Sequence, residues 1–370
     1  MTRTTTTRMF AGTLATLALT AGLTTATATT ANALIIDALD GNNWNAYEPR
    51  DVPTAYPGMY LDFTGDWTNF TPVPDELSGQ ARTDFLETAR DAGKFTAAKS
   101  CTLGPVGTDA AGRKVGITAG HCTQSSWSKE WGAPLHPGPT RGVEVSDKDL
   151  SKYPVYDKNA SKWTQQHPGT PAPDPIGWIR WVDADTCESG ETGGDNEACA
   201  DNPYQTDPTS RTDYMVIEFA PDVQLSSQVL DKAGKPVAST AGGGKPLKVN
   251  SIYTNASGAP ALPGILFNHV ELYGARTDRD PDLMTVPTVI TTPSSGVITF
   301  VSNGMIRAAA GFNGGDSGGP VVLKGTGKWV GIVTATTPDI PPWVNTSAKN
   351  ILDDLNPRGV AGSGFTPINN

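Results

Sequence analysis

The alternation of apolar runs with turn-forming residues predicts an all-β protein from Phe95 onward. Short runs rich in valine, isoleucine and threonine are separated by clusters of glycine, proline and asparagine, which is the pattern of strands joined by turns. Nine runs have the length of a strand: FTAAKSCTL, KVGITAG, GWIRWV, YMVIEFA, LKVNSIYT, GILFNHVELYG, GVITFVS, GPVVLKG and KWVGIVTAT. The composition supports this prediction, since the chain contains 40 glycines, 30 prolines and only 18% charged residues.

Two segments carry helical signals instead. A helix is predicted from residue 75 or 78 to residue 92, because apolar residues with a spacing of four share one face: Leu77, Ala81, Phe85 and Ala89. Near the C-terminus, residues 345–347 are expected to cap a short helix that runs through Leu355, with Pro357 and Gly359 as stop signals.

Residues 1–33 have the features of a secretory signal peptide. Arg3 and Arg8 precede a short apolar stretch at residues 9–23, and residues 31–33 form an Ala-Asn-Ala cleavage signal. A transmembrane helix would need about 20 consecutive apolar residues, and this stretch is shorter. We therefore expect a secreted, extracellular protein that is not attached to a membrane after cleavage. A poorly ordered terminus rich in threonine and alanine is the alternative interpretation.

The rest of the chain divides into three predicted parts. Residues 34–96 are an N-terminal extension, either a propeptide or an arm around the main domain. The main domain spans residues 97–357 and contains a long acidic, proline-rich insertion at residues 125–209, and residues 358–370 form a tail. Loss of the two arginines of the signal changes the net charge from −10 to −12. That charge argues against nucleic acid or an anionic membrane as a partner, and we expect a monomer.

The four cysteines predict disulfides, because an exported chain meets oxidising conditions. Three connectivities are possible, and pairing of neighbours, Cys101 with Cys122 and Cys187 with Cys199, closes two short local loops. A zinc site is disfavoured, since no Cys-x-x-Cys occurs and the histidines His136, His167 and His269 have no acidic partners at ligand spacing. We expect neither a metal nor another cofactor.

Residues 315–320 read Gly-Asp-Ser-Gly-Gly-Pro, a pattern that favours Ser317 as a nucleophile. A serine hydroxyl reacts only when a base takes its proton and donors stabilise the oxyanion that forms. The glycines permit a sharp turn in which the amides of Gly315 and Ser317 point into one small space. A glycine-rich surface turn before a strand is the alternative, and this motif favours the catalytic interpretation.

The segment Thr-Ala-Gly-His-Cys at residues 118–122 places His121 where the predicted strand KVGI ends. Cys122 can anchor that turn to Cys101, so that the imidazole is rigid enough to accept a proton. A histidine beside a cysteine is by itself commonly structural, but with the serine motif it predicts a base and nucleophile pair.

These two motifs resemble the signature motifs of the chymotrypsin-like (trypsin-fold) serine peptidases of secreted bacterial type, and they occur in the same order. The resemblance covers about residues 95–355, and the N-terminal region and the long insertion lie outside it. It implies an all-β fold of two six-stranded antiparallel β-barrels with the active site in the cleft between them. It also implies a serine endopeptidase that cleaves polypeptides through an acyl-enzyme at Ser317, with His121 as general base and the amides of Gly315 and Ser317 as the oxyanion hole.

The third member of the triad is predicted to be Asp213, which opens the alternating strand Asp-Tyr-Met-Val-Ile-Glu-Phe as in the family's corresponding segment. Asp183, Asp185 and Asp222 are the competing acids. They follow strands, and a solvated loop position suits them better. The interval from His121 to Asp213 is long for the family, and the acidic insertion accounts for the excess.

The resemblance also suggests the substrate-binding residues. Thr334, Ala335 and Thr336 correspond to the strand that pairs with substrate, and Thr334 is expected to hydrogen-bond towards Asp213. The family's usual Ser-Trp-Gly is absent there. Gly311, Phe312 and Asn313 correspond to one wall of the specificity pocket. Because no acid stands at Gly311, and Thr336 replaces a glycine, we predict cleavage after small or medium uncharged residues.

Two further points follow from the same comparison. No Ile-Val-Gly-Gly-type activation sequence lies upstream of Cys101, so an internal cation is expected to satisfy Asp316, with Arg276 or Arg307 as candidates. A catalytically inactive homologue that acts as an extracellular binding protein is the second hypothesis. An α/β-hydrolase esterase is excluded by chain order, since no histidine follows Ser317.

Overall fold

The computed structural model describes residues 34–35, 52–63, 77–92, 98–122, 138–183, 212–275, 293–336 and 343–370, apart from residues 168, 170, 172, 232, 303 and 313. Several sequence-based predictions lie outside these residues: the signal peptide at 1–33, the Cys187–Cys199 pair, Asp185, His136, Arg276 and Asn313. Within the described residues, no helix is long and apolar enough to span a membrane.

The described strands, in chain order, are β1 (Leu34–Ile35), β2 (Thr54–Ala55), β3 (Tyr60–Asp62), β4 (Ala98–Thr102), β5 (Val106–Thr108), β6 (Lys114–Thr118), β7 (Pro154–Asp157), β8 (Gly177–Val182), β9 (Met215–Phe219), β10 (Gln224–Leu225), β11 (Ser251–Ile252), β12 (His269–Leu272), β13 (Ser294–Ser302), β14 (Met305–Ala308), β15 (Pro320–Leu323), β16 (Lys328–Thr336), β17 (Trp343–Ser347) and β18 (Thr366–Pro367). The helices among the described residues are α1 (Gly79–Asp91), α2 (Lys158–Gln166) and α3 (Ala348–Arg358). Two short 3-10 turns cover Gly120–Cys122 and Leu150–Lys152.

The first large sheet has the strand order β1-β4-β3-β7-β8-β9-β6-β5-β18. β4 and β5 are consecutive pieces of the chain, bent at Gly104 and Pro105. At the bend the amide of Gly104 donates to the carbonyl of Ile117 (2.9 Å), and the amide of Ile117 donates to the carbonyl of Pro105 (3.0 Å). β4 lies next to β3, and β5 lies next to β6. The bent segment formed by β4 and β5 therefore links β3 to β6 and curls the sheet. Its interior is apolar, with side chains such as Leu61, Val115 and Ile217 fully buried.

The second sheet closes completely. β16 pairs with both β15 and β17, and the order β16-β15-β12-β13-β14-β17 returns to β16, so six antiparallel strands form a barrel. A separate apolar cluster fills it, with members from five strands and the segment that follows β14: Val270, Leu272, Ile298, Ile306, Ala308, Ala310, Phe312, Val321, Val330 and Val333. The expected all-β fold of two barrels is confirmed, with the curled first sheet as the first barrel and this closed sheet as the second, but the first has nine described strands rather than six.

The helices differ in detail from their sequence patterns. α1 begins at Gly79, and its buried residues are Leu86 and Ala89, whereas Ala81 is exposed. α3 continues beyond the predicted end at Leu355 to Arg358 and includes Pro357 in its last turn, and Gly359 with φ 66° is its C-cap. Ser347 caps this helix by accepting a hydrogen bond from the amide of Asn350 (3.1 Å).

Both segments outside the family resemblance contribute to the first sheet. The region predicted as an insertion contains β7, α2 and β8, and β7 lies between β3 and β8. The predicted N-terminal extension contains β3, which pairs with β4 on one side and β7 on the other. Tyr56, Met59 and Leu61 around it are at most 2% exposed, so this strand is part of the core.

Candidate active site

The structure brings His121 and Asp213 into direct contact. β6 and β9 pair antiparallel with Thr118 opposite Met215, so that the turn after β6 lies beside the residues before β9. Asp213 accepts two hydrogen bonds from His121, one from its amide to Oδ1 (2.8 Å) and one from Nδ1 to Oδ2 (2.7 Å). Both residues are buried. A carboxylate held against Nδ1 fixes the ring orientation and leaves Nε2 as the nitrogen that can take a proton.

The carboxylate of Asp213 is stabilised in its charged form. Burial by itself would raise the pKa of Asp213. The charge of His121, the hydrogen bonds from its side chain and amide, and the charge of Arg141 act in the opposite direction, and they hold this pKa below its ordinary value. Asp213 can therefore offset the positive charge that develops on the imidazole when it takes a proton.

A disulfide fixes the turn that carries His121. Cys101 at the end of β4 is bonded to Cys122, with a Cα–Cα distance of 6.2 Å, which confirms the predicted pairing. The two sulfur atoms and a ring nitrogen of His121 lie within 4.8 Å of one another, which is a spacing that could suit a metal. Both sulfurs are in the disulfide, however, so neither is a thiolate, and this cluster is not a metal site.

The turn that carries Ser317 is sharply bent. Gly315 and Gly318 have φ angles of 95° and 83°, in the region that favours glycine, and the amide of Gly319 donates to the carbonyl of Asp316 (2.9 Å). Ser317 is buried. Among the hydrogen bonds within the described part of the chain, none has the amide of Gly315 or Ser317 as its donor. These two amides are the ones that the sequence predicts for the oxyanion hole.

The turn docks on the first barrel through Thr102 at the end of β4. The amide of Thr102 donates to the carbonyl of Ser317 (2.8 Å). Its hydroxyl donates to the carbonyl of Gly315 (2.9 Å) and accepts from the amide of Ala275 (2.9 Å). Thr102 is fully buried, so these bonds form away from water. The sequence pattern did not indicate this residue, since a threonine in a strand has no distinguishing signal.

Gly318 brings the two turns into contact. A Cβ atom at Gly318 would lie 1.9 Å from Oγ1 of Thr118 and 2.8 Å from the amide nitrogen of Ala119. Gly318 follows Ser317 directly, and Ala119 precedes His121 by two residues. The turns of Ser317 and His121 therefore pack against each other so closely at this point that only glycine fits.

Asp316 is fully buried and lies against Gly274, where a Cβ atom would approach the carboxyl carbon of Asp316 to 2.0 Å. Arg276 follows Gly274 by two residues but lies outside the described residues. Arg307, the other candidate cation, is on β14, opposite Val344 of β17. The cation that balances Asp316 stays a prediction.

The predicted substrate-binding residues occupy different surroundings. Thr334 lies at a bulge of β16, and its hydroxyl contacts the hydroxyl of Thr346 (2.7 Å) and accepts from the amide of Thr346 (2.9 Å). The expected bond towards Asp213 is therefore not formed, because the bulge turns this side chain towards β17. Phe312 packs in the core of the second barrel, and Gly311 is buried.

β16 is nevertheless hydrogen-bonded to the turn that carries Ser317, so it lies beside the candidate site. The amide of Gly318 donates to the carbonyl of Val333 (2.7 Å), and the amide of Val333 donates to the carbonyl of Gly319 (2.9 Å). Ala335 and Thr336 continue this strand and pair with Val344 and Trp343.

Asp183 corrects one interpretation of the sequence. We expected a solvated loop acid, but Asp183 is 0% exposed, and its carboxylate forms an ion pair with Arg141 (3.0 Å). Asp222, by contrast, is exposed as expected. His167 accords with a structural role, since it ends α2 and stacks on Trp163 with ring centres 4.2 Å apart.

The arrangement of the barrels decides the fold. His121 and Asp213 stand beside β6 and β9 of the first barrel, and the turn of His121 packs against the turn before β15 of the second barrel, which carries Ser317. The chain has the chymotrypsin fold. No protein-family model matches the chain, and no curated protein sequence matches it.

Several solved structures resemble this chymotrypsin fold at low identity. Thermobifida fusca protease A is 15% identical with a TM-score of 0.34, over 72% of this chain and 92% of the other. A glutamic acid specific serine protease is 13% identical with a TM-score of 0.38, over 83% and 99%. Cellulomonas bogoriensis chymotrypsin is 15% identical with a TM-score of 0.33, over 70% and 89%.

Proposed function

We propose that this chain is a secreted serine endopeptidase that hydrolyses peptide bonds through an acyl-enzyme at Ser317. The observation that carries the proposal is the buried pair of His121 and Asp213, with Nδ1 and Oδ2 2.7 Å apart, beside the glycine-lined turn of Ser317. A surface histidine or a structural turn would need neither the buried carboxylate nor the close contact at Gly318.

The proposed reaction follows the roles that this geometry permits. Nε2 of His121 removes the proton as Ser317 attacks the carbonyl carbon of the peptide, and Asp213 stabilises the imidazolium that forms. The amides of Gly315 and Ser317 donate to the oxyanion. The imidazolium then protonates the leaving amine, and a water molecule activated by His121 hydrolyses the acyl-enzyme to regenerate Ser317.

The substrate is proposed to be an extended polypeptide that pairs with residues 334–336 of β16. Gly311, Phe312 and Asn313 would form a wall of the specificity pocket, with no acid at Gly311 to attract lysine or arginine. Cleavage after small or medium uncharged residues is therefore expected. Peptides that differ only in the residue before the scissile bond measure this directly, and a strong preference for arginine would contradict it.

We further propose that the mature enzyme keeps residues 52–63. β3 pairs with two strands and its side chains are buried, so removal of this segment would open the first sheet between β4 and β7. Any removal of the N-terminal region would then leave this strand in place, after cleavage of the signal at residue 33. N-terminal sequencing of the secreted protein, together with its intact mass, identifies which residues remain.

The central experiment compares the wild-type protein with Ser317→Ala, His121→Ala and Asp213→Asn. We expect a fluorophosphonate probe to label the wild type and not Ser317→Ala, and peptide hydrolysis to fall by several orders of magnitude in each variant. Circular dichroism and unfolding curves show whether each variant is folded. A folded wild type that neither reacts with the probe nor cleaves peptides would favour an inactive homologue that serves as an extracellular binding protein.

A further inference from the structure

A second buried carboxylate lies directly behind the turn of His121. Asp183 follows β8, and its amide donates to the carbonyl of Tyr214 (3.0 Å), next to Asp213. A Cβ atom at Gly120 would lie only 2.6 Å from Oδ1 of Asp183, so this carboxylate packs against the backbone of the residue before His121. Two carboxylates, those of Asp183 and Asp213, therefore flank the same turn.

One arginine acts on both acids. Nη1 of Arg141 lies 3.0 Å from Oδ1 of Asp183, and the charge of Arg141 also contributes to the lowered pKa of Asp213. Its segment is fixed to the first barrel, because the amide of Gly142 donates to the carbonyl of Val182 (2.9 Å). Arg141 belongs to the long insertion, so this contact comes from outside the part of the chain that resembles the family.

A cation is needed here on physical grounds. Buried carboxylates are costly unless they are paired, and two of them on either side of one turn would repel each other. The charge of Arg141 offsets that of Asp183 at 3.0 Å and is one of the causes of the lowered pKa of Asp213. The pair also affects the imidazole, since Asp183 stabilises a positive charge on His121 and Arg141 opposes it.

We propose that the pair of Arg141 and Asp183 is a positioning element of the catalytic centre, which holds the turn of His121 and sets the charge around it. The inference rests on the proposed function, and neither residue touches the substrate in it. Other charged or titratable groups face the same region from two elements: Tyr214 before β9, and Asp354 and Arg358 on α3. Burial, followed by the charge of Asp354, raises the pKa of Tyr214, so the phenol stays neutral.

The test uses Arg141→Gln, Asp183→Asn and the double variant, with kcat/KM measured from pH 4 to pH 10. Removal of the arginine leaves excess negative charge beside the imidazole, so we expect the acid limb to move to higher pH by about half a unit or more. Removal of the aspartate should move it to lower pH by a similar amount. The double variant should return close to the wild type, and Arg141→Lys should restore most of the wild-type profile.

Arg180→Gln is the matched control. Arg180 lies on β8, and its ion-pair partners are Glu218 on β9 (2.8 Å) and Asp147 in the segment that follows Arg141 (2.6 Å) rather than Asp183. Its loss should lower the free energy of unfolding without moving the acid limb. Shifts in the same direction for both single variants, no shift in either, or an equal shift in Arg180→Gln would overturn the proposal.

A second measurement does not need turnover. The titration of the His121 ring, followed by NMR of protein containing ¹⁵N-histidine and assigned with His121→Gln, should move in opposite directions in the two single variants. If the wild type proves inactive, this titration still decides the role of the charge pair. An inactive wild type with opposite shifts rejects the proposed function alone, whereas an active wild type without shifts rejects the charge pair alone.

Discussion

The variant Thr102→Val tests how the turn that carries Ser317 is held in place. Valine keeps the shape of threonine and removes only the hydroxyl. That hydroxyl donates to the carbonyl of Gly315 (2.9 Å) and accepts from the amide of Ala275 (2.9 Å) in a fully buried place. The variant therefore leaves one buried acceptor and one buried donor without partners, while the amide of Thr102 can still donate to Ser317.

The magnitude follows from these two groups. A buried polar group that loses its partner costs about 1–3 kcal/mol, so the loss of partners for two groups should lower the free energy of unfolding by about 2–6 kcal/mol. Loss of one oxyanion donor lowers kcat by about 10²–10³-fold. Since Thr102→Val only loosens the turn of Gly315, we expect kcat to fall by about 10–100-fold, with KM changed by less than about threefold.

Steady-state kinetics on a peptide ester or anilide gives kcat and KM, and urea unfolding gives the stability. Thr102→Ser is the matched control, because it keeps the hydroxyl and loses only a buried methyl group. It should lose about 1 kcal/mol of stability and little of kcat. Wild-type kcat in a folded Thr102→Val, or an equal loss of kcat in Thr102→Ser, would refute the role assigned to the hydroxyl.

Three further predictions concern other parts of the fold. Gly318→Ala should abolish labelling of Ser317 by the fluorophosphonate probe, because the new Cβ would lie 1.9 Å from Oγ1 of Thr118. Gly243→Ala is the control: Gly243 has a similar φ of 74°, but no atom lies near the position of its Cβ, so this variant should be labelled normally. Glu271→Gln should lower the free energy of unfolding by about 2–4 kcal/mol, because the buried carboxylate accepts hydrogen bonds from Ser239, Thr240 and the amide of Gly325. Glu87 is exposed on α1, so the control variant Glu87→Gln should change this free energy little. Burial by itself would raise the pKa of Asp109, but the hydrogen bonds that its carboxylate accepts from Gly362 and Arg113 outweigh this effect and hold the pKa below its ordinary value. Asp109 therefore contributes its full stabilisation above about pH 5. This stabilisation is lost as the pH falls through the pKa of an unfolded aspartate, about 3.9, towards the lower pKa of Asp109 in the folded protein. In Asp109→Asn, the free energy of unfolding should therefore decrease less steeply as the pH falls.

The strands that the sequence predicts well are those with strong apolar character. The runs GWIRWV and KWVGIVTAT coincide with β8 and β16, because each is buried along most of its length and ends at turn-forming residues. β7 and β17 carry no such signal. β17 contains Asn345, Thr346 and Ser347, which look like a helix cap, and only Ser347 acts as one. Asn345 and Thr346 extend because β14 and β16 pair with them on both sides.

The residues of the candidate site also divide into those that the sequence indicates and those that it does not. His121 and Ser317 stand in motifs whose local spacing indicates their chemistry. Arg141 and Asp183 stand far apart in the chain, and the ion pair between them exists only because the segment of Arg141 packs along β8. An acid that follows an apolar run looks the same in the sequence whether its carboxylate is exposed to water or buried behind the turn of His121. Partners that are brought together by long-range packing carry no local signal.

The end of β4 connects both halves of the candidate site. Cys101 holds the turn of His121 through its disulfide with Cys122, and its neighbour Thr102 holds the turn of Ser317 through two hydrogen bonds, to the carbonyls of Ser317 and Gly315. His121 and Ser317 come from different barrels, so their separation would otherwise depend on how two apolar cores pack against each other. Two adjacent residues on one strand instead anchor both turns. Changes at the barrel interface that leave this strand end in place should therefore affect stability before they affect kcat.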